Sequence, residues 1–478
     1  MARKAYIRLM SYYVECRNSG REGRGVGASL SSFSGHRVRL YHGTHFLYIL
    51  IHLPFMIASV ECSAVSGEVY APPSKSYTHR AILITSLGPG GRVLRPLLSA
   101  DTLATVSASE AFGAKIGKEE KKDDLFIDGV GDLPQTPENV IDVLNSGTTL
   151  RFCSAVAALT EGAVLTGDSS IRTRPNGPLL DSLRELGADA FSIKNNGKAP
   201  LVIRGKMLGG TAHLQGGLSS QFLSALFIAS PLAERETRIR IVGELKSRPY
   251  AEITLDMLHD AGIKIEEEEQ EFIVPGGQSF DLERYTIPGD FSSASYPLAA
   301  AAVTGSEVMV KGILPSRQGD SAIIDILTRM GAQVSWNRES GDLRIKGGEL
   351  EGIEIDAGRT PDLVPTIAVL GAVAKGTTTV VNAEHVRHKE TDRLHAMAVE
   401  LTKMGAKVKE RPDGLEITGG KLHGASVHGY HDHRIVMALT VAGLVAGETR
   451  IDTAEAVDVS YPGFFREMER LGARVRVE

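Results

Sequence analysis

Four short segments gather cations and small polar residues where regular structure is about to begin. The first is Pro72-Pro73-Ser74-Lys75-Ser76-Tyr77-Thr78-His79-Arg80. Two prolines stop any earlier element, and Ala81-Ile82-Leu83-Ile84 then opens a helical pattern. Lys75 and its flanking serines therefore sit at a helix N-terminus, where unpaired N–H groups and the macrodipole favour an anion. N-capping accounts for Ser74 and Ser76. It does not account for Lys75, because a cation is locally unfavourable at that end. An anion site accounts for all three.

The second segment is Asn145-Ser146-Gly147-Thr148-Thr149-Leu150-Arg151, ahead of an apolar run from Phe152 to Leu159. Gly147 lets a ligand approach the backbone closely. Arg151 falls one turn inside the helix. The third segment, Arg172-Thr173-Arg174-Pro175, carries two alternating arginines and is weak evidence alone. The fourth group holds Lys389-Glu390-Thr391-Asp392-Arg393 and Asp432-His433-Arg434, each before a helical stretch, with Asp362 after Pro361. A charge cluster is ordinarily a solvated face. Here lysines and arginines recur in both halves of the chain, the pattern expected of a cleft for two anionic substrates. The planar fork of arginine suits phosphate and carboxylate. The pairs His431/His433 and His385/His388 lack a third ligand at a typical spacing, so no metal is expected. No GxxxxGK[ST] or GxGxxG element occurs, so no nucleotide cofactor is indicated.

These segments need a scaffold, and the sequence repeats one. A helix-like stretch ends in glycine and a small or apolar residue, followed by strand-like alternation, at Gly113, Gly187, Gly262, Gly331, Gly405 and Gly472. The spacings between these glycines are 74, 75, 69, 74 and 67 residues. Glycine suits the left-handed position after a helix. Units of about 70 residues exceed the common solenoid periods of about 20 to 50. Six small α/β units grouped in two halves are expected.

The 478 residues allow two or more domains, and the composition, 42% hydrophobic and 23% charged, is that of an ordinary globular protein. A net charge of -5, 6% aromatic residues and one tryptophan argue against a nucleic-acid binder. Cys16, Cys62 and Cys153 are odd in number and widely spaced, so a reducing cytoplasm is expected rather than a disulfide framework. Residues 1–45 are arginine-rich and acid-poor, and the apolar run from Phe46 to Val60 is too short to span a bilayer. A secretory or transit segment fits less well than an upstream extension without a stable fold. The folded protein is expected to begin near Glu61.

In this order the segments Ser74-Lys75-Ser76…Arg80, NSGTTLR, RTRP, SSQF, GDFSSASY, PDLVP, KETDR and DHR resemble the EPSP synthases, enolpyruvyl transferases of the shikimate pathway. The likeness runs from about Ser66 to the C-terminus. The related peptidoglycan enolpyruvyl transferases carry a catalytic cysteine in a loop, and residues 160–180 have none. The resemblance implies a two-domain inside-out α/β barrel with six βαβαββ repeats, three per domain. It implies one domain from residues 61–73 and 288–478 and another from 74–287, with crossovers near Pro72 and Pro288-Gly289-Asp290 and the active site in the cleft between them. Shikimate 3-phosphate is then expected at Lys75, Ser76, Arg80, Ser219, Ser220, Gln221, Ser247, Asp362 and Lys389. Phosphoenolpyruvate is expected at Lys75, Gly147, Arg174, Gln221, Arg393 and Arg434. Asp362 matches the proton acceptor of the family and Glu390 its second acid/base residue. A monomer without cofactor or membrane partner follows. Val459 stands where many members have lysine, three residues before Pro462, and His385 stands at an asparagine position. An RNA 3′-terminal phosphate cyclase and a silent binding scaffold are the competing readings. The net charge and KETDR oppose the first, and the intact Asp362 and Glu390 oppose the second.

Overall fold

A computed structural model describes residues 38–42, 47–51, 56–119 and 122–478. Val38–His42 and Leu47–Ile51 form an antiparallel hairpin that is a unit of its own. The expectation that residues 1–60 lack a stable fold otherwise falls mostly outside the described residues. Where it can be compared, it is corrected. Ala58–Val60 is an inner strand of a sheet, between Thr449–Ile451 and Val475–Val477. Ordered structure continuous with the main body thus starts by Met56, whose N–H donates to Glu455 Oε2 at 3.0 Å. Three residues are too few to show a strand's alternation in sequence.

Residues 56–478 build six four-stranded sheets, each with one parallel and two antiparallel pairings. The unit is clearest in Gly210–Gln215, helix Ser220–Ala229, Thr237–Val242, helix Arg248–Asp260, Glu266–Glu268 and Glu271–Val274. It reads βαβαββ. The other sheets repeat it, three of them with one strand borrowed from elsewhere in the chain. Arg284–Thr286 pairs with Gly90–Leu94, and Ser66–Tyr70 pairs with Glu307–Lys311. Ala58–Val60 completes the sheet of the C-terminal strand. All six repeat glycines have φ between +82° and +108°, the left-handed conformation that frees the chain from helix to strand.

The sheets lie outside and the helices inside. Strand Thr237–Val242 alternates buried with more accessible residues, as a half-covered strand does. Helices Phe291–Thr304, Val364–Val373 and His433–Ala446 are buried on nearly every face. Buried apolar side chains fall into two clusters. One spans Tyr77 to Ile287, and the other combines Ala58 to Ala71 with Phe291 to Val475. Two connections run between the clusters side by side. Pro73 bridges Gly289, the Ser74 N–H donates to Pro288 O at 2.8 Å, and the Asp290 N–H donates to Pro72 O at 2.9 Å. No helix among the described residues is long and apolar enough to cross a membrane.

Candidate active site

The N-termini of the buried helices converge on one cleft. Lys75, Gly147 and Ser220 begin helices from one half, and Arg393 and His433 begin helices from the other. Asp362 lies in the 3-10 turn Pro361–Leu363 that leads into helix Val364–Val373. All six residues line the cleft. An inside-out arrangement points several macrodipoles at one space, and each N-terminus leaves N–H groups for anions. The cleft is nearly shut in this state, with about 60 Å³ of open space, room for a few waters. A hollow of about 700 Å³ lies elsewhere, around Arg92, Arg95 and Arg284. Those arginines are exposed, and the hollow has no buried acid–base pair. Size alone does not mark the chemical site.

On one wall, Lys75 Nζ is 3.0 Å from Asp101 Oδ2. Ser74 is the N-cap residue, but its hydroxyl donates to Asp290 Oδ1 at 3.1 Å instead of capping. The helix start behind Lys75 therefore keeps its N–H groups. Ser146 and Ser219 do cap, accepting from the N–H groups of Thr149 and Gln221. Arg174 Nη2 donates to Asn145 Oδ1 at 2.9 Å and Ser170 Oγ at 3.0 Å, while its Nε has no partner. A Cβ added at Gly147 would stand 2.9 Å from Arg174 Nη1, so glycine there lets the guanidinium lie against the backbone. Arg151 donates to Gln221 Oε1 at 2.6 Å. Burial, with Arg174 nearby, lowers the Arg151 pKa to about 9.

The opposite wall is a charge network around Arg393, which is 1% exposed. Its guanidinium reaches Asp432, Asp362 and Glu390, each at 2.8 Å. Asp362 also meets Arg434 at 3.3 Å and Lys389 at 3.7 Å. Burial alone would raise the Asp362 carboxyl. Lys389, Arg434 and Arg393 outweigh it and hold the group well below the usual carboxylate range. Glu390 is likewise held low against its burial by Arg393 and Arg174, the latter 3.6 Å away across the cleft. Arg434 is buried, and its Nε and Nη1 have no partner. Unpaired buried donors are costly and mark a place where an anion would be bound tightly.

Of the residues expected from sequence, Lys75, Ser76, Gly147, Arg174, Ser219, Ser220, Gln221, Ser247, Asp362, Lys389, Glu390 and Arg393 all line this cleft. Arg434 lies just behind, against Asp362. Arg80 is the exception. It sits behind the wall, donating to Thr254, Ser224 and the Ser76 and Tyr250 carbonyls, with its guanidinium over Phe152. Its position one turn into the helix turns it toward the core. Val459 is half-buried and does not line the cleft. His385 does line it; neither ring nitrogen has a partner, and burial lowers its pKa to about 3, so the ring is neutral. Sequence reading passed over Tyr250, whose hydroxyl bridges Asp362 Oδ2 at 3.1 Å and Asp320 Oδ2 at 3.0 Å. It also left Arg151 without a role. Nothing local distinguishes Tyr250 from an ordinary helix residue; its partners are distant in the chain. Among the described residues no group of three His, Cys, Asp or Glu is placed to hold a metal.

The family model of EPSP synthase (3-phosphoshikimate 1-carboxyvinyltransferase) matches residues 60–468. A 3-phosphoshikimate 1-carboxyvinyltransferase of Methanothrix thermoacetophila is 69% identical over 88% of this chain and 99% of its own length. That of Methanosarcina mazei is 57% identical over the same shares. A solved EPSP synthase of Acinetobacter baumannii is 29% identical, with a TM-score of 0.76, over 88% of this chain and all of that one.

Proposed function

Since this chain belongs to the EPSP synthase family, we propose that its cleft is where the enolpyruvyl group of phosphoenolpyruvate moves to the 5-hydroxyl of shikimate 3-phosphate. The activity is that of a 3-phosphoshikimate 1-carboxyvinyltransferase, a step of aromatic amino acid biosynthesis by way of chorismate. The observation that carries the assignment of the site is the meeting of Asp362 and Glu390 on Arg393, opposite Lys75, Arg151 and Arg174.

The substrate hydroxyl attacks C2 of phosphoenolpyruvate while its methylene carbon gains a proton, giving a tetrahedral ketal. Loss of phosphate and of a methyl proton then restores the double bond. One group must take the hydroxyl proton, and another must give and retrieve the carbon-bound one. Asp362, kept ionised by its cations, suits the first task. Glu390 suits the second only once it holds a proton. An incoming phosphoenolpyruvate would supply this condition. Its carboxylate and phosphate compete with Glu390 for Arg393 and Arg174, and losing those partners lets the carboxyl rise toward a protonatable range. Lys75, Arg174, Arg393 and Arg434 then hold the charge that the departing phosphate carries. Ser219, Ser220, Gln221, Ser247 and Lys389 hold shikimate 3-phosphate, and His385 faces it as a neutral ring. Arg80 contributes by fixing the Ser76 carbonyl rather than by touching the ligand. The two apolar clusters support domains at 61–73 with 288–478 and at 74–287, the first extended back to Met56.

The reading includes a monomeric, cytoplasmic enzyme without cofactor; among the described residues the exposed large apolar side chains Tyr70, Leu133 and Ile193 are far apart in the chain, which favours a monomer. Purified protein given shikimate 3-phosphate and phosphoenolpyruvate should release phosphate and form the enol ether. Binding of both without turnover would mean a silent scaffold. ATP consumption with an RNA 3′-phosphate, and none with these substrates, would mean the cyclase reading.

A further inference from the structure

Asp320 lies behind the cleft, 1% exposed, in the 3-10 turn Gly319–Ala322. Its Oδ2 meets the Tyr250 hydroxyl at 3.0 Å and also accepts from Ser292 Oγ. The same tyrosine hydroxyl lies 3.1 Å from Asp362 Oδ2. A phenol has one proton, and here it faces two carboxylates. Both contacts are satisfied together only when one carboxyl carries a proton of its own. Asp362 has Arg393, Arg434 and Lys389 around it. Asp320 contacts only neutral donors, so of the two carboxyls it is the one on which a proton entering the pair comes to rest.

We propose that Asp320 is a positioning residue that shares, through Tyr250, the proton Asp362 takes from the substrate hydroxyl. This rests on the reading of Asp362 as the acceptor. The transfer balances without any further reactant. The Asp362 Oδ2–H bond breaks as a new Tyr250 O–H bond forms; the old Tyr250 O–H bond breaks as Asp320 Oδ2–H forms. Tyrosine stays neutral, and one negative charge moves from Asp320 to Asp362, where three cations meet it. Asp362 is thereby restored within the closed site, with no water needed to carry the proton away.

The charged groups facing Asp320 set when it can serve. Burial first, then Asp362 and Asp290, raise its pKa to about 7 against the opposing pull of Ser292 and Arg434. Tyr250 holds its own proton far above neutral pH, chiefly through burial. Asp320 must be ionised to receive the proton. Turnover should therefore climb as pH rises through about 7.

The test compares wild type, Asp320→Asn, Tyr250→Phe, their double variant and Ser292→Ala. Asparagine keeps the shape but cannot take a proton. Asp320→Asn should lower kcat roughly tenfold or more, change KM for either substrate less than about threefold, within the scatter expected of uniform binding, and abolish the acidic limb of the kcat profile. Its melting temperature at pH 8 should hold or rise, because a buried carboxylate has been neutralised. Combined with Tyr250→Phe it should cost little more than Tyr250→Phe alone. Ser292→Ala, which keeps the carboxyl, should move the acidic limb to higher pH. An unchanged acidic limb in both Asp320→Asn and Ser292→Ala, or additive losses in the double variant, would overturn the proposal. Inactive wild type with both substrates would instead overturn the functional reading beneath it.

Discussion

Arg393 sits at the centre of the site by simple charge arithmetic. One buried guanidinium faces Asp362, Glu390 and Asp432, leaving a surplus of carboxylate that Arg434, Lys389 and Arg174 offset. The ligand-free site is thus its own substitute substrate, with carboxylates standing where anions would bind. Acid should undo it. Asp362 and Glu390 have depressed pKa values, so the stability they confer is present above their unfolded values of about 4 and lost as pH falls through the folded ones. Thermal melts of ligand-free protein between pH 6 and pH 3 (about the carboxylate range) should fall more steeply than those of Glu390→Gln. A parallel decline would show that Glu390 carries no such linkage. A second prediction concerns Gly147→Ala. Its methyl group would press on Arg174 Nη1 at 2.9 Å, raising KM for phosphoenolpyruvate roughly tenfold, about 1.4 kcal/mol, and leaving KM for shikimate 3-phosphate nearly unchanged. Equal increases for both substrates would contradict it.

At the scale of elements, the six repeat glycines were legible because a helix turning into a strand needs a left-handed residue, and glycine supplies it in every copy. Two of the anion-binding helix starts were legible for a similar reason: Pro72-Pro73 and Ser146 mark them in local sequence, whereas the start at Ser219 came only from the family resemblance. What stayed hidden depends on distance. Tyr250 and Asp362 are 112 residues apart, and the resemblance places Arg80 at the ligand without showing which way its side chain leaves a buried helix. In the structure Arg80 ties its own helix to Ser220–Ala229 and Arg248–Asp260 through Ser224, Thr254 and Tyr250. Arg80→Met should therefore lower the melting temperature, with a loss of roughly 3 kcal/mol from the stranded hydroxyl and carbonyl acceptors. Catalysis that fails without any change in melting temperature would return Arg80 to the ligand. The start of the chain gives another test. A protein beginning at Glu61 lacks Ala58–Val60 and should be less stable by roughly 3 kcal/mol or more, from lost burial of Val60 and the strand's hydrogen bonds. One beginning at Met56 should match the full chain in denaturant. Equal stability of the two would make the inner strand dispensable.

Across the whole molecule, the halves also touch through residues 246–256. The Ser247 N–H donates to Gly358 O at 2.9 Å, Lys246 reaches Glu384 at 3.5 Å, and Arg317 meets Asp256 at 2.9 Å. Two substrates cannot enter the few waters' worth of space in this state, so the halves must part and close again. Exposed pairs such as Arg317–Asp256 are worth about 0 to 1 kcal/mol each and weaken with salt. X-ray scattering of ligand-free protein should give a larger radius of gyration at high salt than at low, and both substrates together should reverse the increase. A radius indifferent to salt and ligand would argue for a permanently closed body.

The stitching of Ala58–Val60 between Thr449–Ile451 and Val475–Val477 has a consequence for how the molecule is made. A ribosome emits that early strand long before either neighbour exists. At about 5 to 20 residues per second, Val60 waits on the order of 20 to 80 s for Val475. For that interval the nascent chain carries an unpaired strand in search of an edge, a natural client for a chaperone. A message cut short before Val475 yields a polypeptide in which Ala58–Val60 lacks one of its two neighbours, so the fold itself reports whether translation passed that point.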